Sequence, residues 1–316
     1  MDSAEAQSSS EDGMVGDVIP RGLEDLSPVP MGWWMLHTMR KNKNWRFKRL
    51  HQIIIPGAHN AATAVIKDDS FTSKIAGFAA QTQGVHPYEL MMDFGVRFLD
   101  LRVTDEDTSG ELWTSHNFLA QPLEPILDDI RRFLNETEKE LLVVQIKKDF
   151  DRRLSENGIE TIKKKILERF KDNLITDASG TLISLSVAGK RLLIVSDLAV
   201  LRKSPIFADR LTTSWGTTRS GERPKLIRNL NSYLEAGENL RRIRTLDAYI
   251  TPNAKTFARS FLRFRGWRSV ISDANRSIRR WTMGLSNDLI ERINIVSLDR
   301  VPMDFSKEII AMNMRL

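Results

Sequence analysis

The chain has 316 residues with no cysteine, 41% hydrophobic and 28% charged residues, and a formal net charge of +6. This excludes disulfides, thiolate metal sites and cysteine nucleophiles, and no apolar run approaches the roughly 18 residues that cross a bilayer. Charge is unevenly placed: Met1 to Ser27 hold seven acidic residues against Arg21 alone, leaving about +12 on the remainder. That balance suits nucleic acid, anionic lipid or a phosphorylated substrate and does not choose among them.

Residues 1–28 are rich in Ser, Asp, Glu and Gly, so they read as a disordered acidic tail, without the basic-then-apolar order of a secretory signal. Residues 29–316 read as one folded unit in a cytoplasmic protein. Trp33, Trp34, Met35, Leu36 and Met39 fit a helix covering one end of a barrel, with membrane insertion as the other reading. Next, Gln52–Thr63 (QIIIPGAHNAAT) runs the β-branched Ile53–Ile55 into Pro56 and Gly57, which are expected to stop a buried strand and present His59 and Asn60. Alone, this His also suits a satisfied structural histidine in a tight turn. The mixed segment around Phe71, Ile75 and Phe78 reads as loop plus short helix, and Pro87–Asp93 as a second short helix.

Val96–Val103 (VRFLDLRV) alternates Leu99, Leu101 and Val103 with Phe98, Asp100 and Arg102, placing an apolar face toward helices and a charged face inward. Leu112–His116 (LWTSH) predicts a short strand ending in a second histidine, with helix following at once through Leu123, Ile126, Leu127, Ile130, Phe133 and Leu134. Leu141–Asp149 (LLVVQIKKD) returns as a strand with Gln145, Lys147 and Asp149 on one face. Strand, helix and strand in this order imply a parallel pair. A helix through Ile159–Phe170, a strand at Arg191–Ser196, weaker strands at Leu211–Trp215 and Leu246–Ile250 around a helix near Leu226–Leu240, and a last strand at Ile293–Leu298 continue the alternation. The fold class is therefore α/β, a TIM-type (β/α) barrel, either regular or irregular and incompletely closed. Thr251–Trp281 interleaves arginines with Phe and Trp and reads either as a solvated helix pair or as a patch toward anionic lipid.

Neither GxGxxG nor GxxxxGK[ST] occurs, so no nucleotide cofactor is indicated, and no helix-turn-helix, zinc or RNP-like pattern supports nucleic-acid binding. Polar residues fall instead at the C-terminal ends of candidate parallel strands, where barrel enzymes keep their chemistry: His59, Asp100 with Arg102, His116, Lys147 with Asp149, and Asp299. Trp215, after another candidate strand, either flanks a sugar ring or closes the barrel.

PGAHNAAT, GVRFLDLRV, TSH, LLVVQIKKDF and INIVSLD, in this order, resemble the X domain of phosphatidylinositol-specific phospholipase C from about Trp34 to Asp299. Arg102 and Lys147 stand where the calcium-dependent branch has carboxylates, so the resemblance is to the metal-independent bacterial enzymes and the trypanosome phospholipase that releases glycosylphosphatidylinositol anchors. Asn60 departs from the bacterial pattern, which has Asp there. The resemblance implies no metal and no cofactor, and a phosphoinositide or glycosylphosphatidylinositol substrate met by peripheral contact with an anionic membrane. It further implies His59 as base, His116 as acid, Arg102 on the phosphate and Asp299 orienting His59. Asp100 would fix Arg102 or His116, Asn60 would bond nearby, and Lys147 and Asp149 would meet inositol hydroxyls or phosphate unless they form an ordinary internal ion pair. The alternative is a catalytically weak X domain acting as a membrane lipid-binding module.

Overall fold

A computed structural model describes residues 31–67, 80–105, 110–150, 152–198, 211–237, 240–251 and 266–316. The acidic tail, the segment around Phe71, Ile75 and Phe78, and most of the basic aromatic stretch, Arg263 and Arg265 included, lie outside them.

Nine strands form one sheet among the described residues: β1 (Ile55–Ala58), β2 (Phe98–Thr104), β3 (Trp113–His116), β4 (Phe118–Pro122), β5 (Leu142–Lys148), β6 (Leu192–Ser196), β7 (Thr212–Thr213), β8 (Arg244–Asp247) and β9 (Ile295–Leu298). Seven are parallel in the order β7-β8-β9-β1-β2-β5-β6, so each except β6 neighbours the next parallel strand in the chain and the last lies beside the first. That is barrel order. β6 and β7 are not paired among the described residues.

The helices are α1 (Trp34–Lys41), α2 (Pro87–Met92), α3 (Leu123–Glu136), α4 (Glu156–Phe170), α5 (Leu182–Val187), α6 (Trp215–Thr218), α7 (Arg223–Ala236), α8 (Trp267–Met283), α9 (Asn287–Ile290) and α10 (Met303–Ala311). Outward strand residues such as Leu99, Leu101, Val144 and Ile194 share a core with α3, α4, α7 and α8. The inward set, Ile55, Phe98, Val143, Leu193 and Ile295, forms a second core plugged by Trp34, Met35, Met39 and Trp45. The tryptophan-rich helix thus closes the N-terminal end of the barrel. A buried Arg97–Glu140 pair at 2.6 Å ties that end together, Glu140 accepting the Leu36 N–H at 2.9 Å and Arg97 donating to the Gly32 carbonyl at 2.8 Å.

Four local expectations need correction. Pro56 and Gly57 do not stop the first strand but lie within β1, because Pro56 still offers its carbonyl to the Arg97 N–H at 3.0 Å. Glycine is needed beside it, since a Cβ on Gly57 would meet Phe98 Cδ1 at 2.8 Å and Ile295 Cγ2 at 3.0 Å. His116 does not end a parallel barrel strand: β3 runs antiparallel to β2 and turns into β4 through Asn117, whose φ is 61°, before the helix begins. This left-handed conformation is one that Asn tolerates better than most residues. The strand expected at Leu211–Trp215 shortens to two residues and passes into α6, while β8 starts at Arg244. Finally, Trp267 of α8 is buried in the outer core and Trp281 packs against it, so these two aromatics face the barrel and not a membrane.

Candidate active site

Because side chains alternate along a strand, register fixes two layers inside the barrel. Ile55, Phe98, Val143 and Ile295 face inward at the N-terminal ends. Two and four residues on, the same faces deliver His59, Asp100 with Arg102, Lys147 and Asp299 to the opposite end. The apolar layer below leaves these groups poorly hydrated, which strengthens every charge interaction among them.

His59 is nearly buried and fully partnered. Its Nδ1 lies 2.7 Å from Asp299 Oδ1, while its Nε2 is approached by Asn60 Nδ2 at 3.1 Å and by Arg102 Nη2 at 3.2 Å. Asn and Arg can only donate there, so Nε2 carries the lone pair and Nδ1 carries the proton, donated to Asp299. Burial, then the Arg102, His116 and Lys147 charges, hold the imidazole well below its ordinary pKa. Burial also pushes the Asp299 carboxyl up; the two donors at Nε2 decide where the single shared proton sits. Asn60 occupies the left-handed region with φ 44°, and its Oδ1 is buried without a hydrogen-bond partner.

His116 faces His59 with ring centroids 5.9 Å apart and planes at 73°. Its Nδ1 donates to the Ala80 carbonyl at 3.0 Å. Burial and then Arg102 lower its pKa to about 4, against the opposing influence of the Ala80 carbonyl, Asp149 and Asp100. Arg102 also donates through Nη1 to Asp149 Oδ1 at 3.3 Å, and its Nε has no partner among the described residues. Asp100 pairs with Lys147 at 2.9 Å, where a contact to Arg102 or His116 had been expected. The Lys147–Asp149 pair does not form; the charges cross, each bonding to β2.

Asp149 is fully buried, and its oxygens accept from the N–H groups of Phe150 and Asn117, both at 2.9 Å, as well as from Arg102. It therefore anchors both Arg102 and the turn carrying His116. Against the upward push of burial, the Asn117 N–H, Arg102 and His116 keep its carboxyl below its ordinary pKa. Trp215 begins α6 beyond β7, and its side chain lies outside the described residues.

Three further groups escaped sequence reading. Tyr249, two residues past β8, lies flat on His59 with ring centroids 3.7 Å apart. Asp247, on the same face, is buried among Thr213, Ser214 and Thr245 hydroxyls, and burial raises its pKa. The Asp-x-Tyr spacing was the available signal, since it repeats the two-residue step of Asp100 and Arg102. Gln83 is the third: its Nε2 donates to the carbonyls of His59 at 2.8 Å and Leu298 at 3.0 Å, and its Oε1 accepts from the Val301 N–H at 3.3 Å. No periodicity marks it. Among the described residues, no group of three or more His, Asp or Glu is arranged to hold a metal ion.

Residues 70–197 match the family model described as "Phosphatidylinositol-specific phospholipase C, X domain", a stretch that includes Arg102, His116, Lys147 and Asp149. Over these residues the chain is similar to the phosphatidylinositol-specific phospholipase C X-domain family. A 1-phosphatidylinositol phosphodiesterase of Staphylococcus aureus is 31% identical over 107 residues, 33% of this chain and 32% of that protein. A PI-PLC X domain-containing protein of Dictyostelium discoideum is 29% identical over 115 residues, 33% of this chain and 19% of the relative. The X-domain match thus spans about a third or less of these curated relatives. In fold the likeness is wider: phosphatidylinositol-specific phospholipase C from Listeria monocytogenes aligns over 90% of this chain and 99% of its own, with TM-score 0.69 and 18% identity. The Staphylococcus aureus enzyme aligns over 90% and 98%, with TM-score 0.67 and 18% identity. No described helix is long and apolar enough to cross a membrane.

Proposed function

We propose that the protein is a phosphodiesterase that cleaves phosphatidylinositol, or a glycosylated form of it, to diacylglycerol and a cyclic inositol phosphate. The observation that carries this reading is that His59 and His116 face each other with ring centroids 5.9 Å apart while Arg102 donates to His59 Nε2. His59 takes the proton of the inositol hydroxyl adjacent to the phosphodiester. That oxygen attacks phosphorus, the bond to the diacylglycerol oxygen breaks, and His116 protonates the leaving oxygen. The attacking oxygen stays on phosphorus, so the product is cyclic.

Arg102 moves from His59 Nε2 to the non-bridging phosphate oxygens, where its unpartnered Nε supplies a further donor. A guanidinium in this place stabilises the charge without calcium. The phosphate anion also offsets one of the charges that depress His116, restoring the proton that the acid needs. Asp299 holds the His59 proton on Nδ1, and Asp149 positions Arg102 and His116. Lys147, half-buried beside Asp100, reaches for inositol hydroxyls or phosphate. That the Staphylococcus aureus relative is a 1-phosphatidylinositol phosphodiesterase supports this substrate class. Peripheral contact with an anionic membrane on the cytoplasmic side belongs to the same reading.

Asn60 favours a second reading, a catalytically weak lipid-binding module, because its amide occupies the lone pair that His59 would use. Incubating the purified protein with labelled phosphatidylinositol and with a glycosylphosphatidylinositol-anchored protein, in chelator, separates the two. Release of a soluble cyclic phosphate supports the enzyme; vesicle binding without any product supports the module.

A further inference from the structure

Outside the barrel mouth, α8 and the loop from β9 to α10 enclose a cleft of about 430 Å³ with a floor of Ile271 and Phe305 and a lining that includes Arg268, Arg276, Arg279 and Arg300. That volume lies within the range of ligand pockets. Two of these arginines are neutralised within the protein: Arg276 by Asp273, and Arg279 by Asp304 and Glu308. Among the described residues neither Arg268 nor Arg300 forms an ion pair within 4 Å; burial and then the Arg268 charge lower the Arg300 pKa, against the opposing influence of Asp299.

Arg300 is held in place at some conformational cost. Its φ is 44°, in the left-handed region, and the backbone is pinned by its N–H donating to the Thr82 carbonyl at 2.6 Å and by Asn275 Nδ2 donating to its carbonyl at 3.3 Å. A Cβ on Gly84 would stand 3.1 Å from Arg300 Nη2, so the bare glycine leaves the guanidinium its space. Among the described residues Arg300 Nη1 is buried with no acceptor, and Arg268 Nη2 reaches the neutral Gln81 Oε1 at 3.3 Å. Two guanidiniums lining one cleft over an apolar floor, Arg300 held by its backbone and Arg268 exposed at the rim, are suited to an anion with several acceptor oxygens.

We propose that this cleft is a second anion site, which takes a phosphate ester group between Arg268 and Arg300. The claim concerns binding and does not depend on the reaction assigned to the mouth. Calorimetric titration of the full chain with inorganic phosphate tests it, using Arg102→Gln to weaken phosphate binding at the mouth. Phosphate binding should persist in Arg102→Gln and weaken at least about tenfold when Arg268→Gln or Arg300→Gln is added, the scale of losing one charge-assisted hydrogen bond. Arg268 is exposed, so Arg268→Glu remains informative if the Arg300 variant fails to fold.

Two further arms identify the source of the phosphate. Glycerol phosphate binding that depends on Arg268 points to a soluble ester, and Arg268-dependent sedimentation with phosphatidylcholine vesicles containing phosphatidic acid points to a lipid headgroup. Either result supports the site. Phosphate binding that disappears in Arg102→Gln and is unchanged in Arg268→Glu would overturn it, as would the absence of Arg268 dependence with all three probes.

Discussion

Tyr249 stacks face to face on the His59 imidazole, the ring planes only 7° apart and the centroids separated by 3.7 Å. With Asp299 at Nδ1 and Asn60 and Arg102 at Nε2, the stack leaves the imidazole little freedom to turn. Tyr249 is itself buried, and burial and then the nearby carboxylates hold its phenol protonated well above its ordinary pKa, so it works as a wall and not as a base. Tyr249→Phe should therefore keep most of the activity, and Tyr249→Ala should lower kcat more than it raises KM. Steady-state kinetics on phosphatidylinositol check this; a large loss in the Phe variant would assign the hydroxyl a role of its own.

Asp299→Asn should slow turnover about 100- to 10,000-fold, the usual contribution of a positioned acid or base. An amide placed at 2.7 Å from Nδ1 can present NH₂ to it, moving the imidazole proton to Nε2, where it meets two donors. The pH profile should change with the rate. A variant with wild-type rate and profile would remove Asp299 from the account.

The depressed His116 has two consequences. In the free protein its imidazole should stay neutral down to about pH 4, and a phosphate anion at Arg102 should raise that midpoint, as followed by NMR titration. Its folded pKa lies below the unfolded value of about 6.5, so as pH falls the unfolded chain binds this proton first. Stability from this group is complete above about pH 6.5 and is lost as pH falls toward 4. His59 shifts in the same direction and adds to the loss. Urea midpoints across this window should fall less for His116→Asn than for the wild type; equal slopes would contradict the shift.

Gln83 joins the two strand ends that carry the His59–Asp299 pair, donating to the carbonyls of His59 and Leu298. Gln83→Leu leaves both without this donor and should cost about 1–3 kcal/mol of stability. A fall in kcat should accompany it even where the protein stays folded. Unchanged urea midpoint and unchanged kcat would reduce Gln83 to a bystander.

Much of this arrangement was legible in the chain because a parallel strand writes its faces with a period of two. Phe98, Asp100 and Arg102, or Val143, Gln145 and Lys147, announce an inward face that changes from apolar to charged along the barrel axis. The alternation with α3 and α4 gave the parallel order. What the period does not carry is partner choice. Asp100 meets Lys147, and Asp149 meets Arg102, because neighbouring strands set the pairing across the register. His116 reaches the mouth from an antiparallel hairpin whose turn depends on one left-handed Asn, and Gly57 is required by Phe98, a residue of another strand. Gln83 acts through its amide on main-chain carbonyls, a bond that no local pattern records.

The division of labour between the two histidines is tested most directly by changing the leaving group. On phosphatidylinositol, where the alkoxide must be protonated as it departs, His59→Ala and His116→Ala should each lose about 100- to 10,000-fold in kcat. On an inositol phosphodiester with a nitrophenol leaving group, which departs without a proton, the account predicts that His116→Ala recovers most of the wild-type rate and His59→Ala recovers none. Equal loss for His116→Ala on both substrates, or recovery of His59→Ala on the activated one, would contradict it.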